Sequence, residues 1–222
     1  MSDLVFREEG CQLKFVGDFD GVYREDDDPW EQSALCPGKM LRYYNYSRFN
    51  LASAVNQFAP PFSYLVEVGC GLGYALDYLN ATCKIVPTGL DVSGVAIGRA
   101  RKLFPGRRFI QADITAERFD VVGGYYCVVL NQLLWYVLHR LDATLLNCSR
   151  LLSPGGTLII SQAFLNEQRY GKEIVDGFDG LLKKLLNEYQ SLFSLLGSRY
   201  DTSHEQIHHD GLLILQKCGE GK

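Results

Sequence analysis

The sequence predicts an α/β fold: a doubly wound, mostly parallel sheet of seven strands, with an N-terminal helical cap and a C-terminal antiparallel hairpin. Three observations predict it. Residues 65–73, Leu-Val-Glu-Val-Gly-Cys-Gly-Leu-Gly, form a β-branched apolar run that ends in glycines spaced two apart. A buried strand needs apolar residues on both faces, and the glycines let the backbone turn sharply against a ligand. From there to Ser161 apolar runs and helical stripes alternate, the order that lays strands parallel with helices on both faces. Two β-forming stretches, 199–205 and 212–217, close the chain around a His-His-Asp-Gly turn at 208–211.

Composition bounds the function. The 222 residues are 47% apolar and 22% charged, enough for one core and neither disordered nor membrane-spanning. No run reaches the roughly 18 apolar residues a spanning helix needs, and the first residues lack the apolar centre of a signal peptide. Seven cysteines, an odd number scattered without a Cys-x-x-Cys, read as free thiols in a reducing cytoplasm. A net charge of −4 without a basic stripe argues against nucleic acid as a partner.

In chain order, residues 1–60 are expected to form a cap or lid and 61–222 the main domain. The aromatic, glycine-punctuated stretch 15–23 leads through the acids at 25–28 to Pro29 and Trp30, a large ring after a rigid turn and so a candidate lid. Residues 40–58 predict a helix with an apolar stripe of Leu41, Tyr44, Phe49, Ala52, Val55 and Phe58. Its row of Tyr43, Tyr44, Tyr46 and Arg48 suits either packing or a pocket wall. Residues 74–79 read as the helix after the first strand, and 85–90 as the second strand, ending in Asp91. Ser93 caps the next helix, whose inner face is Ala96, Ile97, Ala100, Leu103 and Phe104. A short strand spans 108–111. For the fourth, 125–130 is preferred to 119–122, which Gly123 and Gly124 would cut short. A helix over 139–152 ends in Ser-Pro-Gly-Gly at 153–156, a fifth strand covers 157–161, and a long amphipathic helix is expected over 177–196.

Doubly wound sheets bind ligands at the carboxyl ends of their strands. Glu67, Asp91 and Asp113 sit near the first three ends. Asp91 alone would suit a dinucleotide enzyme, since an acid about 20 residues past the glycines reaches a ribose hydroxyl. The glycine spacing argues against that, because Gly73 comes one residue too early for Gly-x-Gly-x-x-Gly and Tyr74 fills the expected place.

The segments Glu67-Val-Gly-Cys-Gly-Leu-Gly73, Gly89-Leu-Asp91-Val-Ser93, Gln111-Ala-Asp113-Ile114 and Leu152-Ser-Pro-Gly-Gly156 resemble, in order and spacing, the motifs of class I S-adenosylmethionine-dependent methyltransferases. The resemblance covers about residues 62–162 and implies the Rossmann-like methyltransferase fold. It implies that the backbone at Gly69 and Gly71 lies along the methionine part of S-adenosylmethionine, with Glu67 meeting its amino-acid end through water and Gly73 and Asn131 among the cofactor contacts. Asp91 would bind the ribose hydroxyls with Val92 beside it, and Asp113 and Ile114 the adenine. Strand four departs from the family's frequent Tyr-Asp-Val-Val, since Cys127 stands where Asp is expected.

Methyl transfer asks a protein to align the nucleophile, exclude water and, where needed, take a proton. Asn131, Tyr136 and His139, at or after strand four, are the candidate catalytic residues; Tyr23, Trp30, Arg48, Trp135, Gln162 and Tyr170 are the candidate acceptor contacts. His204, His208 and His209 lack acid–His spacing, so no metal is expected. Residues 23–30 and 43–48 are similar to the N-terminal cap of nodulation-type N-methyltransferases. The segments 134–136, 162–164 and 168–171 are similar to methyltransferases of surface-polysaccharide clusters, including those acting on phosphoramidate. The expected function is therefore transfer of a methyl group to a small-molecule or saccharide-linked acceptor, with nitrogen favoured, by in-line displacement. O-methylation of a small metabolite and a non-catalytic cofactor-binding module stay as alternatives. No membrane partner is expected, and a homodimer is left open.

Overall fold

The computed structural model describes residues 3–10, 12–33, 39–165, 167–202 and 208–219. Strands β1 (Phe6–Glu9) and β2 (Gln12–Phe15) form an antiparallel pair, followed by helices α1 (Phe19–Glu25) and α2 (Lys39–Phe58). The main sheet then alternates β3 (Tyr64–Val68), α3 (Tyr74–Thr82), β4 (Val86–Asp91), α4 (Gly94–Leu103), β5 (Arg108–Gln111) and β6 (Tyr125–Asn131). A short helix α5 (Leu134–Val137), a tight turn over Leu138–Arg140, α6 (Leu141–Leu151), β7 (Leu152–Leu165), α7 (Gly177–Glu188), β8 (Phe193–Asp201) and β9 (His208–Lys217) complete it. The seven strands lie in the order β5-β4-β3-β6-β7-β9-β8. All neighbours from β5 to β7 are parallel, and β9 runs antiparallel to both β7 and β8.

Strand alternation explains the double winding. Leu65, Cys127, Val129 and Ile159 point to one face and bury against Leu51 and Val55 of α2, Leu76 and Leu79 of α3, and Ile97 of α4. Val66, Val68, Val128, Leu130, Leu158 and Ile160 point to the other and meet Leu141, Leu145 and Cys148 of α6 and Leu181 and Leu185 of α7. Cys127, in the place of the expected Asp, is fully buried between Leu65 and Thr157 in register, and burial pushes its thiol far up. It is an inert core residue here.

Several expectations are corrected. The N-terminal segment is not helical alone, since β1 and β2 precede its helices. In α2, Phe49 is 62% exposed and Leu51 takes the inner position instead; Leu41's side chain lies outside the described residues. In α4, Leu103 is exposed. The helix expected from 139 starts at Leu141 after the Leu138–Arg140 turn. Residues 153–156 belong to β7, where a register shift beside Tyr125 and Cys127 accommodates them. α7 stops at Glu188, and Phe193 and Leu196 lie in β8. Residues 208–211 are not a turn. They pair with 162–165 because β7 is long enough to give each a partner. Cys11, Cys36 and His204 lie outside the described residues; among the described residues Cys70, Cys83, Cys127, Cys148 and Cys218 are free thiols. Among the described residues there is no cluster able to hold a metal ion and no helix long and apolar enough to cross a membrane.

Candidate active site

The site grows from the end of β3. The Gly69 and Cys70 N–H groups both donate to Leu90 O, at 2.7 and 3.0 Å, which folds the loop back over β4. Gly69 (φ 72°) and Gly71 (φ 52°) take left-handed conformations that side chains disfavour. A Cβ would also lie 2.5 Å from Leu133 Cδ1 at Gly69 and 2.5 Å from the Tyr23 hydroxyl at Gly71. Gly73 begins α3 and packs on Phe104 and Phe109 instead. Asp91, at the end of β4, accepts the Gly71 N–H on Oδ2 and the Ser93 N–H on Oδ1, each at 2.8 Å. Burial raises its pKa while these backbone bonds oppose the shift. Each oxygen keeps a lone pair for a further donor. Asp113 follows β5, where its Oδ1 takes the Thr115 N–H and hydroxyl, and Ile114 beside it is buried.

Behind Asn131 lies a polar cluster with unmet capacity. Asn131 Nδ2 donates to Glu67 Oε1 at 3.3 Å. Glu67 Oε2, Asn131 Oδ1 and Arg48 Nε are buried without partners. Burial pushes Glu67 up to about 7, against the Asn131 bond and the Arg48 charge. Of these three, Asn131 lies on the cavity wall, where its Oδ1 can accept from an ammonium, and Glu67 and Arg48 lie behind it.

The cradle and, from the cluster, Asn131 border one cavity of about 470 Å³ that also takes in Val92, Asp113, Ile114, Tyr136 and His139, with Glu67 behind that wall. Of the residues expected at the acceptor, Tyr23, Trp30, Trp135 and Gln162 border it. Arg48 and Tyr170 do not. Arg48 sits over the Tyr44 ring at 5.4 Å and donates to Gln32 O, and Tyr170 packs edge-on to Phe6 at 4.9 Å. Trp30 Nε1 donates to the Tyr136 hydroxyl at 3.0 Å, latching the N-terminal segment to α5. His139 lies against Phe15 with ring centres 4.7 Å apart, and burial is the first cause lowering its pKa.

Sequence reasoning missed Phe19, Gln32 and Gln132 as wall residues, and the structure resolves Tyr43 and Tyr44 as wall rather than packing alone. The signal at Gln132 is backbone strain (φ 55°), which only coordinates reveal. Its Oε1 accepts the Ala163 N–H at 2.8 Å, and Gln162 Oε1 accepts the Leu134 N–H at 2.8 Å, so two glutamines brace the turn after β6.

Residues 66–160 match the family model described as "Methyltransferase domain". Residues 66–160 carry a methyltransferase domain. Over 154 residues, 64% of this chain, the sequence is 30% identical to the polyketide synthase-nonribosomal peptide synthetase pyiS of Pyricularia grisea, but it spans only 4% of that protein's length. The methyltransferase domain's fold matches the N-methyltransferase NodS of Bradyrhizobium japonicum WM9 in complex with S-adenosylhomocysteine (TM-score 0.67, 19% identity, 90% of this chain and 98% of that one). It also matches the CurJ carbon methyltransferase (TM-score 0.65, 17% identity, 92% and 63%). The cofactor of the family is S-adenosylmethionine, and the residues present fit it: the Gly69 and Gly71 cradle, the Asp91 carboxylate and the unpaired Asn131 oxygen border one cavity.

Proposed function

We propose that this methyltransferase domain moves a methyl group from S-adenosylmethionine to the nitrogen of a small acceptor by in-line displacement. The observation that carries the reading is the continuity of one cavity, from the cradle at Gly69, Gly71 and Asp91 to a wall of Tyr43, Tyr44, Trp135 and Gln162. Bound in the cradle, the cofactor supplies an electrophilic methyl carbon on a sulfonium. Asp91 would hold the ribose hydroxyls, Val92, Asp113 and Ile114 the adenine, and Asn131, with Glu67 behind it, the amino-acid end. The aromatic wall excludes water and fixes the angle of attack. Tyr136 serves as the partner of Trp30 in this reading, and His139, beside Phe15, flanks the cradle.

Nitrogen is favoured because the cavity's acceptor wall offers no strong base among the described residues, and a desolvated amine can attack as its neutral form. The likeness to NodS supports the same acceptor. The apolar wall favours a small-molecule over a saccharide-linked acceptor, and a cytoplasmic location is the setting we propose for the free thiols. Residues 3–33 are the part of the expected 1–60 cap proposed to act as a lid, since α2 is built into the sheet's core. The decisive experiment is calorimetric titration with S-adenosylhomocysteine, with tritiated methyl transfer to an amine pool. Asp91→Ala should weaken binding by at least 100-fold. Undiminished affinity in that variant would sink the cofactor assignment.

A further inference from the structure

Resting on the reading above, the acceptor's chemistry can be narrowed by the hydrogen bonds that the cavity wall leaves unmade. Several polar groups there are committed. Tyr43 donates its hydroxyl to Asp210 Oδ1 at 3.1 Å, and the Gln132 and Gln162 side chains brace the turn after β6. The Tyr23 hydroxyl lies against Gly71 and belongs to the cradle. Two phenols on the wall keep a proton to give. Tyr44 is buried, yet its hydroxyl has no hydrogen-bond partner among the described residues. The Tyr136 hydroxyl accepts the Trp30 indole N–H at 3.0 Å, and no described residue accepts the Tyr136 proton.

Both phenols are primed as donors. A guanidinium over a phenol ring draws charge from it and strengthens its O–H, and Arg48 sits over the Tyr44 ring at 5.4 Å. A hydroxyl that accepts one hydrogen bond gives a stronger one, and the Trp30 N–H puts Tyr136 in that state. Burial raises the pKa of both, so both keep their protons at neutral pH. At Tyr44 the Tyr136 phenol is the next cause after burial, which puts the two groups within electrostatic reach of each other. No Lys or Arg stands among the described residues bordering the cavity, so two such donors suit a neutral carbonyl oxygen better than a full anion.

We propose that Tyr44 and Tyr136 donate their hydroxyls to the carbonyl oxygen of an α-amino amide or ester whose amine is the methyl acceptor. The carbonyl answers the lack of a strong base in the wall. It lowers the pKa of the neighbouring amine from about 10.4, the value of an alkylamine, to about 7.8. At pH 7.5 about a third of such an amine is neutral, against about one part in a thousand of the alkylamine. The lone pair of the neutral nitrogen forms the N–C bond while the C–S bond breaks, its electrons staying on sulfur, and the methylated ammonium gives its proton to water. By gripping the carbonyl, Tyr44 and Tyr136 fix where that lone pair points.

The test saturates the full chain with S-adenosylhomocysteine and measures, by calorimetry at pH 7.5, binding of phenylalaninamide and phenethylamine, which differ by the carboxamide alone. The amide should bind at least tenfold more tightly. In Tyr44→Phe and in Tyr136→Phe that advantage should fall at least fivefold, whereas a preference due only to the amide's lower basicity would survive both. Each variant's own binding of S-adenosylhomocysteine shows that it is folded, and if one fails to fold the other decides. Tyr44→Phe should bind S-adenosylhomocysteine within twofold of the unaltered protein; a larger loss would assign that hydroxyl to the cofactor and overturn the proposal. Equal binding of the two probes, failure of both to bind, or an advantage intact in either folded variant overturns it too, while leaving the methyltransferase reading intact. Failure of the unaltered protein to bind S-adenosylhomocysteine overturns both.

Discussion

Glu67 is a carboxyl group 2% exposed to solvent with one oxygen unpaired, and that makes it a reporter of the empty and filled site. Its folded pKa of about 7 lies above the ordinary 4.5. The fold therefore favours the protonated acid, and the associated stability is full below about pH 4.5 and lost as pH rises through 7. The loss is on the order of 3 kcal/mol. Asp91 shifts in the same direction, and Asp210, at about 6, loses its share at lower pH. The melting temperature of the free protein is expected to fall by several degrees between pH 6 and 8. Glu67→Gln should remove more than half of that fall. If the proposed assignment of Glu67 to the cofactor's amino-acid end holds, saturating S-adenosylhomocysteine should reduce it too, its ammonium favouring the ionised carboxylate. A fall of equal size in Glu67→Gln would mean that another group titrates.

At the scale of elements, the Trp30–Tyr136 hydrogen bond joins the segment after α1 to α5, and Trp30 also packs against Tyr23 at 5.2 Å. Tyr136→Phe removes the acceptor of the indole N–H and keeps the ring, a change worth about 1 kcal/mol. Release of S-adenosylhomocysteine, followed by stopped-flow fluorescence, should quicken severalfold. Trp30→Ala should quicken it further, with a smaller effect on melting temperature than a core truncation. If ligand release is unchanged in both, the ring is packing alone. Elements whose identity is local were legible in the sequence: β3 with its glycines, the Ser93 cap of α4, and β6 over its rival at 119–122. The Ser93 oxygen does accept the Ala96 N–H, at 3.1 Å. The misread ones depend on partners. Leu192, Phe193 and Leu196 continue the helical spacing of α7, yet β9 offers Phe193 a register partner in Lys217, and pairing overrides the stripe. The cofactor side of the site was readable because its residues lie in contiguous motifs. Arg48's bond to Gln32 O and the Tyr43–Asp210 link were not, since neither contact is encoded near either residue.

For the whole molecule, the N-terminal segment is fastened directly onto the cofactor cradle. Asp20 of α1 accepts the Ser93 hydroxyl at 2.6 Å and the Val95 N–H at 3.2 Å, at the start of α4. Arg99 of α4 reaches back to Asp26 O at 2.8 Å and to Asp27 at 3.1 Å. The Tyr23 ring lies over Gly71, and Phe6, Phe15 and Phe19 pack around Tyr136 and Tyr170. These contacts are small and partly solvated beside the two sheet cores, so the segment belongs to the low-stability end of the structure. On the proposed lid reading, a ligand entering between Tyr23 and the glycines lifts it. In the free protein, amides of residues 12–25 should therefore exchange with deuterium faster than those of β3 and β6, through local opening. Bound S-adenosylhomocysteine should slow the segment's exchange about tenfold, because the filled cradle gives Tyr23 and Trp30 a surface to close on. Asp20→Ala should restore fast exchange while leaving β3 and β6 protected. If the segment is as protected without ligand as with it, the cradle is reached by another route and the lid reading fails.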